Sequence, residues 1–466
     1  MDIKTSSYAH KERVNQIRFP IVPVFLVALG ITLAGYAILG RGFAHLGVPP
    51  IFIGEIILAS GLLTWALTGG THVFRSGLSW IIVLLMVIGA IGTFRWIGTY
   101  GLDSLRDGAL WGYGVFALLV GTFLLRGRDR ILEVVRLYAK WLPWFLILVP
   151  IVMVTRLFFG ELIPRWPVSN VPVIQPKGGD LAVHLSGAMA FLALGLVKLK
   201  NGRGQNWLLA EREWLLWGIF IIGAITILTG RAALLTMLTT AFLLFLFRPS
   251  KKWIKPVFLG IIVVTIAIVF DAEFEREDRK RSVSPQALVT TLESVFTETG
   301  GSEFDGSRRW RLAWWEDIWN YTARGEYFWT GKGYGINLAD DDGYQVFGAS
   351  HEQAVLRSPH NSHLTFLARS GVPGFTVWIA LQVVFALALI QAYRKAQRQG
   401  LVDLANLNLW VLAYWWAFMV NAGFDVFLEG PQGGIWFWSL FGFGLALLIW
   451  QKNEIKNGSG NSTRIG

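Results

Sequence analysis

The chain has no cysteine. Disulfides, thiolate nucleophiles and cysteine metal sites are therefore excluded. Charge is scarce too: Asp, Glu, Lys and Arg supply only 16% of 466 residues, while hydrophobic residues supply 53%. A soluble protein of this length carries more charge. No internal repeat is visible, and no Gly-Lys-Ser/Thr follows the glycines at 331, 333 and 335, so a phosphate loop is missing. No cleavable signal is expected either. Residues 1–18 are polar and basic, and the apolar run after them is too long for a signal core.

Long apolar runs are abundant instead. Many reach the ~20 residues a helix needs to cross a bilayer. The reading is an all-α polytopic membrane protein with about twelve spans, near 19–39, 50–68, 77–95, 107–125, 141–159, 180–197, 213–229, 231–247, 254–270, 373–392, 404–424 and 433–450. Gly230 should make a tight hairpin between the seventh and eighth. The 23 Trp and 11 Tyr suit two water–lipid interfaces.

The formal charge of +11 raises nucleic acid as a partner, but its placement argues against that reading. With a cytoplasmic N-terminus, the inner segments hold 24 Lys and Arg, and the outer ones other than 271–372 hold 7. Such a bias is a topological signal. Residues 271–372 then lie outside, with 11 Lys and Arg against 16 Asp and Glu. A loop this long is too large for a connector. The chain divides into a membrane domain at 1–270, an external loop domain at 271–372 and a second membrane part with a cytoplasmic tail at 373–466. Helices are expected at 285–297 and from Trp310 to Tyr321, the second with a Trp face on the membrane or the lobe core.

Chemistry concentrates in and near the loop. Arg231 opens the eighth span, in ILTGRAALLTML. A charge inside the bilayer is costly and usually functional. It reads as a phosphate ligand or an interfacial anchor. Arg308, Arg309 and Arg311 stand among tryptophans, where guanidinium groups could bind phosphate oxygens or line a solvated face. His360 precedes a helical run and is a candidate general base. With His363, three residues on, it could share a helix face as a metal pair, a weaker reading because no cysteine and only one acid run lie near. The glycines at 331, 333 and 335 read as a flexible turn, and Asp340 to Asp342 as a solvated turn, with calcium second.

Four features, in order, resemble the O-antigen ligase and polymerase superfamily of bacterial envelope glycan enzymes. They are the arginine in LTGRAAL, an Arg-x-x-x-Trp helix from Arg311 to Trp315, the Gly331-Lys332-Gly333 turn, and His360-Asn361 followed by Gly371 to Gly374. The resemblance is best across about 215–395. It implies a GT-C-like membrane fold with a periplasmic loop domain, in the bacterial inner (cytoplasmic) membrane. It implies metal-independent transfer, without a cofactor, of a glycan from undecaprenyl diphosphate to a sugar hydroxyl of lipid A–core. In a polymerase the acceptor would be another lipid-linked unit. Arg231 and Arg311 would bind the donor diphosphate, with Arg308 and Arg309 as rivals for the loop position and Asn361 beside them. His360 would activate the acceptor. Inversion is expected, since no carboxylate pair of the retaining type is evident. A transporter or lipid flippase is the rival of another class. It would favour inverted repeats and ionisable groups at the midplane, and Glu55 is the main mid-span acid.

Overall fold

The computed structural model describes residues 21–127, 129–198, 213–227, 230–249, 303–345 and 356–457. Among them the architecture is helical, apart from a two-stranded hairpin pairing Gly47–Val48 with Ile51–Phe52. The first half holds α1 (Ile21–Leu39), α2 (Ile53–Thr68), α3 (Gly77–Phe94), α4 (Leu102–Gly112), α5 (Gly114–Leu124), α6 (Arg130–Phe158) and α7 (Gly178–Ala193). Then come α8 (Glu213–Ile227), α9 (Arg231–Phe247), α10 (Glu303–Ala323), α11 (Ser362–Arg398), α12 (Val402–Ala422) and α13 (Pro431–Asn457).

Apart from α4 and α10, which carry exposed charges, these helices are largely apolar on every side, as membrane helices must be. On α3 one face buries Leu78, Ile82 and Leu85, while Trp80, Leu84, Val87 and Ile91 stay exposed on the opposite face. An exposed stripe of that kind suits lipid. Five described helices are long and apolar enough to cross a membrane, or six if the bent pair α4 and α5 is one span. Three shorter apolar helices, α2, α8 and α9, accompany them. This is a multi-pass membrane protein. The expected span at 254–270 and the expected helix at 285–297 lie outside the described residues. The expected hairpin before Arg231 lies partly outside the described residues; α8 is described to Ile227, and Gly230 N donates to Ile227 O at 3.4 Å just before α9.

Segments expected on the same side of the membrane touch one another. Expected outer loops meet at one end of the bundle: Gly40 bridges Gln175, Trp166 Nε1 donates to Gly42 O at 2.7 Å, and Ser104 Oγ donates to Tyr334 O at 3.0 Å. Expected inner segments meet at the other: Arg126 Nη2 donates to Thr68 O at 2.8 Å, and Tyr393 Oη to Phe247 O at 2.8 Å.

The lobe core is small: Trp314, Ile318, Leu338, Ala339, Leu367 and Ala368. α10 supplies Trp314 to it, so this part of the tryptophan face rests on the lobe, while Trp319 is exposed. α11 has two parts. Gly371 breaks it at φ 63°, ψ −171°, and Pro373, lacking an N–H, follows. The part before the break belongs to the lobe core. The bend is held by the glycine turn: Lys332 N donates to Ala368 O at 2.7 Å, Gly333 N to Arg369 O at 3.1 Å, and Val372 N to Phe328 O at 2.8 Å. Gly331, Gly333 and Gly335 all have positive φ. A Cβ on Gly331 would lie 2.4 Å from the Arg369 carbonyl carbon. The turn reading holds, but the turn is packed against α11 rather than loose.

Candidate functional site

Asn361 caps α11: its side chain accepts from His363 N at 3.0 Å and Leu364 N at 3.1 Å. This geometry is the ordinary one for an asparagine N-cap. His360 stands just before the cap, outside the helix, with φ 54°. His360 and His363 therefore do not share a helix face. The two histidines also have different partners. His363 Nε2 donates to Met419 O at 2.9 Å, and its Nδ1 accepts from Trp378 Nε1 at 3.1 Å. Both ring nitrogens are committed, so His363 is a structural histidine and no metal ligand. Among the described residues no group of three His, Asp or Glu could hold a metal ion.

His360 Nδ1 instead faces Asp425 Oδ1 at 3.5 Å, within ion-pair range and at the outer limit of hydrogen bonding. Asp425 lies in the short loop between α12 and α13. It also accepts from Lys177, whose Nζ donates to Oδ1 at 2.9 Å and to Oδ2 at 3.0 Å, and from Val426 N at 2.8 Å. Burial alone would raise the Asp425 carboxyl. The His360 hydrogen bond and the Lys177 ammonium outweigh it and hold the group well below the usual carboxylate range. A carboxylate on Nδ1 fixes the tautomer with the proton on that atom. Nε2 is then the nitrogen able to accept a proton, and among the described residues it has no protein partner. Asp180, buried three residues after Lys177, adds a second carboxyl near Asp425.

Arg311 reaches the same loop from α10. Its Nη1 donates to Phe424 O at 3.3 Å, and its guanidinium lies over the Trp310 ring at 5.6 Å. Trp310 in turn meets the His360 ring edge-on at 6.2 Å. Burial lowers the Arg311 pKa and Asp425 opposes that shift. Arg311 Nε is buried with no partner among the described residues, a poor arrangement for structure alone and a suitable one for an anion. Arg309 points to solvent. Arg308 lies on the same helix, with its side chain outside the described part. Arg231 begins α9 at the lobe end of the bundle, close behind the Ile227 carbonyl that packs against Gly178, next to Lys177.

The acid run is not a bare solvated turn. Lys332 Nζ pairs with Asp341 at 2.5 Å and also with Asp342, which accepts from Trp314 Nε1 at 2.6 Å. The run ties the glycine turn to α10.

The sequence reading missed Asp425 and Lys177. It also missed Asp107 of α4, whose carboxylate accepts from Arg357 Nε and Nη2 at 2.9 and 3.0 Å and lies 3.0 Å from Arg369 Nη1. The available signal was coarse: all of these residues fall in or beside loops expected on the outer side. The partners are too far apart in sequence for any local spacing to show.

The arrangement offers an imidazole nitrogen without a protein partner among the described residues and, beside it, cations suited to an anionic group. Residues 216–379 match the family model described as O-Antigen ligase. No curated protein matches the chain. The matched stretch includes Arg231, Arg311, His360 and Asn361, while Lys177, Asp107 and Asp425 lie outside it. It supports a glycosyltransferase-like activity of the O-antigen ligase or polymerase type. Over residues 216–379, then, the chain is similar to the O-antigen ligase family, the group that its motifs resemble.

Proposed function

We propose that the protein is a metal-independent, inverting glycosyltransferase at the outer face of a bacterial inner membrane. It takes a glycan from undecaprenyl diphosphate and joins it to an acceptor sugar hydroxyl, that of lipid A–core. The observation that carries this reading is the pairing of His360 with Asp425 beside the partly buried Arg311. His360 Nε2 takes the proton of the acceptor hydroxyl. The oxygen attacks the anomeric carbon as the bond to the diphosphate breaks. Asp425 stabilises the imidazolium that results. Arg311 and Arg231 receive the negative charge gathering on the diphosphate, where positioned cations act most strongly. Attack from the face opposite the leaving group inverts the anomeric centre. The polyprenyl tail accounts for building such an enzyme among apolar helices.

Two experiments test the reading. A reporter fused after residue 320 should read as external and one after 398 as cytoplasmic. A cytoplasmic signal at 320 overturns the placement of the site. Purified His360→Ala should bind lipid-linked donor as the wild type does, while transfer falls roughly 10²–10⁴-fold, the usual worth of general base catalysis. Transfer at the wild-type rate would remove His360 from the mechanism.

A further inference from the structure

His360 and Asn170 are the two described non-glycine residues with positive φ. L-residues avoid that region, and one stays there when its surroundings over-determine it. Around His360 they do. Arg357, three residues earlier, is fastened to Asp107 through both carboxylate oxygens, and its Nη2 also donates to Gly335 O at 2.8 Å. Ser358 is buried and hydrogen-bonds Glu429. Pro359 O accepts from Trp315 Nε1 at 2.9 Å. Asn361 is locked by its cap.

Of these anchors, Asp107 is the one from the first half of the chain. Its side chain is nearly inaccessible, and it is fully used: besides the two bonds from Arg357 it accepts from Gly335 N at 2.9 Å and pairs with Arg369. One carboxylate therefore joins α4, the glycine turn, the end of the first part of α11 and the segment leading to His360. It touches neither His360 nor any group placed at the reacting atoms. We infer that Asp107 is a positioning residue for glycan transfer: by holding Arg357 it fixes the left-handed backbone that sets the His360 imidazole against Asp425. The inference rests on His360 as the base for its kinetic consequence, but not for its structural one.

The test uses full-length protein with isotopically labelled histidine, the His360 signal being identified by its loss in His360→Ala. Asp107→Asn keeps the shape and turns an amide toward Arg357. The His360 signal should move, while those of His184 and His363 stay. Transfer kcat should fall on the order of 10²-fold, the cost of ~1 Å of misplacement at a reacting group, with donor KM within about twofold, as expected when only the transition state is affected. Asp107→Glu, which keeps the charge, should recover part of the loss. Arg357→Lys, which keeps the charge and loses the fork, should repeat the effect more mildly. An unmoved His360 signal in Asp107→Asn overturns the inference. So does a joint collapse of all three signals in both Asp107→Asn and Arg357→Lys, which would make Asp107 an anchor of the whole fold. If His360→Ala transfers normally while Asp107→Asn still moves the His360 signal, the base role fails and the positioning role stands.

Discussion

Two polar centres lie at the lobe end of this protein, and they are built on opposite plans. Around Asp107, Arg357, Arg369 and Glu429 the charged groups are matched by ion pairs, carbonyls or hydroxyls. Arg369 is 2% exposed, and it donates to Gly333 O and Ile336 O besides meeting Asp107. Glu429 accepts from Thr365 Oγ1 at 2.9 Å. Around His360 and Asp425 matching is incomplete: Nε2 of His360 and Nε of Arg311 have no partner among the described residues. A saturated network gives rigidity, whereas an unsaturated one keeps capacity for a substrate. The contrast separates the part that holds from the part that reacts.

The contrast breaks if removing the buried arginine of the saturated centre leaves the fold as stable as before. Arg369→Ala should instead cost about 3–5 kcal/mol of stability, because it breaks the buried pair with Asp107 and leaves the Gly333 and Ile336 carbonyls without their donor. A thermal scan in detergent reads this directly, and an unchanged midpoint would erase the distinction. In the reactive centre the sign should reverse. Asp425→Asn should fold, yet lose transfer by roughly 10²-fold or more, approaching the limit set by His360→Ala. Its pH behaviour sharpens the point. The Asp425 pKa is depressed, so its ionised form stabilises the fold above the ordinary carboxylate value of about 4. That contribution is lost as pH falls toward the folded value. Wild type should thus lose stability below about pH 4 more steeply than Asp425→Asn.

Smaller effects distinguish the arginines. Arg311→Ala should weaken donor use by about 1.5–3 kcal/mol, the worth of a charge-assisted hydrogen bond. Arg309→Ala, at a solvent-facing position, should cost less. Equal losses would show that α10 binds donor through a diffuse basic face. The smallest expected effect is none at all: transfer should survive EDTA. Loss on chelation, restored by a divalent cation, would overturn the metal-free chemistry.

The membrane helices were legible because a bilayer imposes one simple demand, about 20 apolar residues, and α1, α3, α6 and α13 meet it. Their ends were less legible, since helix caps are local. The expected span at 141–159 is the second part of α6, which starts at Arg130. Arg231, Arg311 and His360 stood out because charge and histidine are rare in such surroundings. Asp425 did not: it is one of two acids in FDVFLEG, and the residue that gives it meaning is 65 positions earlier. The clamp between Asp107 and Arg357 spans 250 positions. The glycine spacing announced a turn, but its partner, the bend at Gly371, is visible only once α11 is folded.

That seam also bears on how the gene can drift. Gly331 and Gly371 both have φ near +60° and lie against each other's backbone. A Cβ on Gly371 would come within 2.4 Å of Phe328 O and 2.8 Å of Gly331 N. Every codon change that replaces either glycine adds an atom with nowhere to go, and no change at the other can make room, because glycine is already the smallest residue. Selection from a randomised library should return glycine at both positions, so that two codons forty apart behave as a single immovable letter.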